Sequence, residues 1–225
     1  MKVLSALVAS SLMFTPGSSY QVSSRDEASS QWAVDTMFNA IDAMGTSSHL
    51  WSTEQKKYPY PIKDIDTVAL VDRRTTDEPG REKWIVSSPS MGRDIPVDVV
   101  VGNGGPVVYF LEGVDSPETS NWITKGHVKR VFGESDASIV IPSQGAGSMW
   151  TDWNEDDPKL GRHKWETFLI TELAPLVEAE LNHNGKRGLI GLSMGASGAV
   201  MMANNNPGFF SGCLLYTSDA ADDTP

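Results

Sequence analysis

The stretch GLIGLSMGAS at residues 188–197 constrains the fold more than any other part of the chain. An apolar run typical of a buried strand leads into Gly191-Leu192-Ser193-Met194-Gly195, and a run of small residues typical of a helix follows. A Gly-x-Ser-x-Gly sequence between a strand and a helix predicts a sharp turn that exposes the serine hydroxyl. Side chains at Gly191 and Gly195 would collide with neighbouring backbone in such a turn. Ser193 is therefore a candidate nucleophile, although a glycine-rich turn with an ordinary serine has the same local pattern.

Length and charge narrow the class of protein around this motif. The chain has 225 residues, of which 40% are hydrophobic, and this is enough for one α/β domain with a sizeable core. The net charge of −11 disfavours nucleic acid and anionic membrane surfaces as electrostatic partners. The four histidines are dispersed and the chain has one cysteine, so no metal site is predicted.

The first 65 residues predict a leader and an extension rather than part of the sheet. Residues 1–19 contain Lys2, an apolar run and then small residues, which predicts a signal peptide cleaved near Tyr20. The alternative is a buried N-terminal helix, since the run is too short to span a bilayer. Residues 20–65 form an N-terminal extension with one predicted helix, capped by Ser30 and ending near Met44.

Residues 66–212 carry alternating strand and helix patterns. Strands are expected at 67–71, 82–88, 95–101, 106–111, 138–141 and 188–191, and helices at 121–132, 165–181 and 194–205. The second and third strands read as an antiparallel pair. The later alternation predicts a doubly wound, mostly parallel sheet, which together with the Ser193 turn indicates the N-terminal part of an α/β-hydrolase domain. Pro175 should bend its helix or lie where a backbone hydrogen bond is already lost.

The loop after the fourth predicted strand is a second candidate part of the site. In this fold the loop supplies one N–H of the oxyanion hole, and Gly113 would let the backbone turn inward. Val114 is the candidate donor there, and Met194 is the donor next to the nucleophile. Glu112 and Asp115 are acceptors at the rim that suit sugar hydroxyls. The alternatives are a plain strand-to-helix turn and two solvated surface charges.

Tryptophans flank a polar loop at residues 151–164. Trp150, Trp153 and Trp165 have faces of the kind that stack on sugars, but packing in the core is the simpler explanation.

Several of these segments together resemble the mycolyltransferases of the antigen 85 type. The segments that carry the resemblance are Ser88-Pro89-Ser90-Met91-Gly92-Arg93-Asp94-Ile95, Val108-Tyr109-Phe110-Leu111-Glu112-Gly113, Asn121-Trp122, Asp152-Trp153, Lys164-Trp165-Glu166-Thr167-Phe168-Leu169 and Gly191-Leu192-Ser193-Met194. The resemblance implies a monomeric α/β hydrolase, secreted or in the cell envelope, without cofactor or metal. It implies transfer of a mycolyl group from trehalose monomycolate to another trehalose monomycolate or to cell-wall arabinan.

The same resemblance assigns roles to individual residues. Ser193 matches the nucleophile, Met194 and Val114 match the oxyanion donors, and Glu112 matches an acidic residue near trehalose. Asp115 stands where many members have arginine. No cysteine lies at residues 153–164, so the chain resembles the disulfide-free, corynebacterial-like members.

The sequence after Ser193 lacks the rest of a catalytic triad. It contains Asp219, Asp222 and Asp223 but no histidine, and a serine without a base is a poor nucleophile. Residues 213–222 match one translated frame of a transposase-type sequencing adapter, so residues 213–225 are predicted to be a non-native read-through tail. A divergent native C-terminus is the alternative. The chain is accordingly predicted to be an inactive, C-terminally truncated fragment.

Two other functions remain compatible with these residues. A secreted serine carboxylesterase of the same fold would use water as the acyl acceptor, and an acceptor sugar site near Glu112 and Trp150 would distinguish the two enzymes. A non-catalytic protein that binds the cell wall or a host-matrix protein such as fibronectin could use the same scaffold.

Overall fold

The computed structural model describes residues 60–132, 135–158 and 160–216. The predicted signal peptide at 1–19 and the predicted helix beginning at Ser30 lie outside the described residues. Within the described ranges, no helix is long and apolar enough to cross a membrane.

In this part of the chain seven strands form one mixed sheet, in the order β1-β2-β3-β5-β4-β6-β7. The strands are β1 (Ala69–Thr75), β2 (Arg81–Ser88), β3 (Arg93–Val100), β4 (Val107–Leu111), β5 (Ser138–Pro142), β6 (Arg187–Leu192) and β7 (Gly212–Tyr216). Strands β1, β2, β3 and β5 pair antiparallel, whereas β5, β4, β6 and β7 pair parallel. The predicted hairpin and parallel centre are both present, and the carboxyl ends of β4 and β6 lie side by side.

The described helices are short and follow the parallel strands. They are α1 (Asn121–Thr124), α2 (Val128–Phe132), α3 (Trp165–Thr167), a π-helical segment (Phe168–Leu173), α4 (Ala174–Glu180) and α5 (Met194–Asn205). The prediction of one helix over 121–132 is wrong, because the chain turns between α1 and α2. His127 has a φ of 47°, and a side chain on Gly126 would come within 2.9 Å of the Trp122 carbonyl oxygen.

The long helix predicted over 165–181 contains a π-helical segment directly before Pro175. Proline has no N–H to donate, so it is tolerated where the regular hydrogen-bond ladder is already interrupted. The same segment carries Glu172, which is 7% exposed. Its carboxylate accepts hydrogen bonds from the Ser88 hydroxyl and, at 2.8 Å, from the Ser90 N–H, and so ties this helix to the β2–β3 turn.

Alternate residues of β4 pack on opposite faces of the sheet. Val108 and Phe110 join a buried apolar cluster with Ile139, Ile141 and Ile190, and Val128 of α2 covers it. Burial on both faces makes β4 a rigid support for the loop that follows it.

Strand β7 includes the first residues of the predicted read-through tail. Cys213–Tyr216 pair in register with Leu189–Leu192, and the Ser193 N–H donates to the Tyr216 carbonyl at 2.9 Å. The predicted tail boundary at Cys213 therefore falls inside a strand, as the apolar run Leu214-Leu215-Tyr216 allowed. Residues 217–225 lie outside the described residues.

Candidate active site

Ser193 lies at the turn between β6 and α5, as predicted. Its φ of 53° and ψ of −118° are unusual for a residue with a side chain. A Cβ at Gly191 would overlap the Gly195 carbonyl, and a Cβ at Gly195 would overlap the Leu111 carbonyl and lie 2.6 Å from that of Glu112. Both glycines are therefore required by close backbone contacts, and Ser193 itself remains half-exposed.

The loop that follows β4 passes next to this turn. A Cβ placed on Gly113 would lie 3.8 Å from the Ser193 Cβ and 3.8 Å from the Leu192 carbonyl oxygen. The structure therefore brings together the two sequence-predicted segments, one at 112–115 and the other at 191–195.

Three successive carbonyl groups of this loop are fixed by hydrogen bonds. The bonds are Trp150 Nε1–H to Glu112 O at 2.9 Å, Ser116 N–H to Gly113 O at 3.2 Å, and Gly147 N–H to Val114 O at 3.0 Å. Because a trans peptide is planar, fixing each carbonyl also fixes the N–H of the next residue on the opposite side. In the described chain, no acceptor bonds to the N–H groups of Gly113, Val114 or Asp115. These three donors are therefore unpaired within the described residues.

Met194 supplies the other predicted donor. It is the first residue of α5 and is 1% exposed. The first N–H groups of a helix have no intrahelical acceptor, and the partial positive charge of the helix end favours an anion there. The arrangement can chemically support an oxyanion beside Ser193, although the role of Val114 and Met194 as its donors stays a prediction.

Glu112 is not at the rim, where the sequence placed it. It is 1% exposed, and its Oε1 accepts hydrogen bonds from the Ser120 hydroxyl and, at 3.2 Å, from the Trp122 N–H. The carboxylate is buried because it accepts hydrogen bonds from these donors at the start of α1. Its other oxygen, Oε2, is buried without a hydrogen-bond partner among the described residues.

Asp115 is half-buried and its Oδ2 accepts a hydrogen bond from Asn121 Nδ2 at 3.2 Å. Trp150 and Trp165 are fully buried and stack edge to face with ring centroids 4.7 Å apart. The packing explanation is therefore correct for these two tryptophans. Trp153 is half-exposed and lies against the ring of His163.

No histidine or carboxylate side chain within the described ranges hydrogen-bonds to Ser193. His163 is fully buried, and its Nδ1 accepts the indole N–H of Trp165 at 2.9 Å. Burial, together with the nearby charge of Arg93, lowers the pKa of His163 to about 4. The described residues also contain no group of three potential metal ligands.

Sequence reasoning missed the loop at 143–150, which donates hydrogen bonds to the loop after β4. Gly145 and Gly147 were a signal of close backbone approach that the sequence did contain. The left-handed φ values of Met149 and Trp150, 57° and 55°, had no signal, because residues of this kind rarely adopt them.

Comparison with known proteins decides the family. Residues 88–218 match the model of the family described as "Putative esterase". The chain belongs to this esterase family. The MPT51/MPB51 antigen of Mycobacterium tuberculosis is 36% identical over 145 residues, which are 64% of this chain and 47% of the relative. The diacylglycerol acyltransferase/mycolyltransferase Ag85B of Mycolicibacterium smegmatis is 36% identical over 137 residues, which are 57% of this chain and 42% of the relative.

Solved structures confirm the fold of this esterase-family chain. The crystal structure of MPT51 from Mycobacterium tuberculosis matches with a TM-score of 0.51 and 37% identity, covering 56% of this chain and 46% of that one. An S-formylglutathione hydrolase from Agrobacterium tumefaciens matches with a TM-score of 0.53 and 23% identity, covering 64% and 60%. The α/β-hydrolase fold and the antigen 85-type resemblance are both confirmed. The chain spans less than half the length of the two curated relatives.

Proposed function

We propose that Ser193 is the nucleophile of an acyltransferase. The observation that supports this most is the strained turn at Ser193 beside a loop whose fixed N–H groups lack acceptors in the described chain. Hydroxyl exposure and fixed donors next to it are what nucleophilic attack on an ester requires.

In the proposed mechanism the Ser193 oxygen attacks the ester carbonyl and forms a tetrahedral intermediate. The N–H groups of Val114 and Met194 stabilise its negative oxygen. Collapse breaks the ester bond, leaves the acyl group on Ser193 and releases a sugar alkoxide, which takes the proton that Ser193 gave up. A general base must carry this proton. A second sugar hydroxyl then takes the acyl group and regenerates the serine.

The substrate class is proposed from the relatives. Several of them, including Ag85B, are named diacylglycerol acyltransferase/mycolyltransferase. By this likeness, the donor is trehalose monomycolate, and the acceptor is another trehalose monomycolate or cell-wall arabinan. By the same likeness, the protein is secreted or lies in the cell envelope. Asp115, which is half-buried, is the proposed sugar contact, whereas the buried Glu112 carboxylate holds the start of α1.

A covalent-labelling experiment tests the role of Ser193. The chain is incubated with a short-chain 4-nitrophenyl ester, and intact-mass and peptide mass spectrometry locate any acyl adduct. An adduct confined to Ser193, lost in Ser193→Ala and kept in Ser197→Ala, is expected. Ser197 lies on α5 one turn after Ser193 and is also half-exposed, so it is a matched control. An adduct on other residues, or none after prolonged incubation, would refute the assignment.

A chase of the same adduct separates transferase from carboxylesterase. Adduct loss should be faster with trehalose than in buffer alone if the site accepts a sugar hydroxyl, and equal in both if water is the acceptor.

A non-catalytic binding protein is the second candidate. It is favoured by the lack of a base hydrogen-bonded to Ser193 in the described residues. Complete absence of the adduct would support it.

A further inference from the structure

Trp150 contacts both the loop after β4 and helix α5. It is fully buried, and its indole N–H donates to the Glu112 carbonyl at 2.9 Å. That carbonyl belongs to the peptide that leads into Gly113, so its orientation sets the course of the chain toward Val114.

The ring of Trp150 also touches the helix that begins at the nucleophile. A Cβ on Gly198 of α5 would lie 2.7 Å from the Trp150 Cβ and 2.7 Å from the Met149 carbonyl oxygen. Gly198 is therefore a helix glycine that makes room for Trp150. On its other side, the ring lies so close to Gly145 that a Cβ there would be 2.6 Å from it.

The backbone around Trp150 is held in an unfavourable conformation. Met149 and Trp150 both have positive φ values, 57° and 55°. Such residues persist only where surrounding contacts over-determine them, and they cluster at functional sites. Here the surrounding contacts include the Ser148 hydroxyl, which accepts the Trp150 N–H at 3.1 Å.

We propose that Trp150 is a positioning residue that fixes the loop at 112–116 against the Ser193 turn. This inference rests on the proposed function, because it assigns Trp150 to the alignment of the Val114 donor. One side chain contacts the loop through its N–H and α5 through its ring, so it sets the separation between the two candidate oxyanion donors. The loop at 143–150 extends the contact, since Gly147 holds the Val114 carbonyl.

Amide hydrogen exchange of the full chain, followed by NMR without substrate, tests the proposal. The reporters are the Ser116 and Gly147 amides, which donate to the loop and to which Trp150 is not a direct partner. In Trp150→Phe, exchange at both should be more than about fivefold faster, the loss expected for one hydrogen bond of about 1 kcal/mol. The Val114 amide resonance should also shift.

Trp165→Phe is the matched control. Trp165 is equally buried and also loses an indole hydrogen bond, but its N–H donates to His163 and not to the loop. Its Ser116 and Gly147 exchange should stay within about fivefold of wild type. Equal acceleration in both variants, or less than fivefold in Trp150→Phe, would overturn the proposal.

A second variant covers the case in which Trp150→Phe does not fold. Benzothienylalanine at position 150 keeps the double ring and replaces the N–H with sulfur, so it removes only the donor. The same exchange thresholds apply to it. Since the readout needs no turnover, failure of the inference is distinct from failure of Ser193 to accept an acyl group.

Discussion

Acidification should destabilise this protein through His163, a histidine that the fold buries completely. Its neutral ring accepts the Trp165 indole N–H through Nδ1, so protonation would both charge a buried group and replace an acceptor with a donor. Trp165 in turn stacks on Trp150.

The magnitude follows from the shift in pKa. Burial first, and then the charge of Arg93, lowers the pKa of His163 from 6.5 to about 4 in the folded state. The unfolded chain then binds the proton more tightly than the folded one. Stability is present above the unfolded pKa and is lost as pH falls from about 6.5 toward 4. The expected loss is about 2 kcal/mol between pH 7.5 and 5, and about 3 kcal/mol once both states are protonated.

Urea unfolding at several pH values between 7.5 and 5 measures this loss. Two variants isolate its source: His163→Gln, which keeps an acceptor for Trp165 but does not titrate, and His127→Gln, which removes an exposed histidine. The pH dependence should shrink by about 2 kcal/mol in His163→Gln and stay unchanged in His127→Gln. Equal pH dependence in wild type and His163→Gln would refute the reasoning.

Three further predictions concern the turn, its chemistry and the last strand. Gly195→Ala should cost more than about 3 kcal/mol or prevent folding, whereas Gly212→Ala, where a Cβ meets nothing within 4 Å, should cost under about 1 kcal/mol in urea unfolding. Turnover of a 4-nitrophenyl ester should be only a trace, because no base hydrogen-bonds to Ser193 in the described residues and general-base catalysis is worth about 10²–10⁴-fold. A normal rate that is lost in Ser193→Ala would contradict this. Deleting 213–225 removes β7 and should cost about 2–4 kcal/mol by thermal unfolding, while deleting 217–225 should cost under about 1 kcal/mol; equal effects would show that β7 contributes nothing.

The sequence predicted the parts of the site that depend on local backbone demands. Gly191 and Gly195 signal the turn because their neighbours leave no room for a Cβ, and that demand is visible in any Gly-x-Ser-x-Gly sequence after a strand. The buried strand at 107–111 was predictable because a continuous apolar run of that length suits burial on both faces. Its carboxyl end then located Gly113 beside Ser193.

Features set by tertiary contacts were not predictable in this way. The break between α1 and α2 depends on a left-handed residue at His127, which a helical pattern does not reveal. Glu112 looked like a surface acceptor because a lone carboxylate in a loop is usually solvated, and only the folded chain shows the donors of Ser120 and Trp122 around it. The bond from Trp150 to Glu112 joins residues 38 positions apart.

The strain at Ser193 is maintained by constraints that do not involve a catalytic base. A conformation of this kind costs about 1–3 kcal/mol, and surrounding bonds must supply that energy. The Ser193 N–H donates to the Tyr216 carbonyl at 2.9 Å, and the Ser193 carbonyl accepts the Ala196 N–H at 2.9 Å. The glycines on either side admit the close backbone contacts of the turn. The geometry of the Ser193 turn is therefore a property of the sheet and of α5, and it needs no hydrogen bond from a catalytic base.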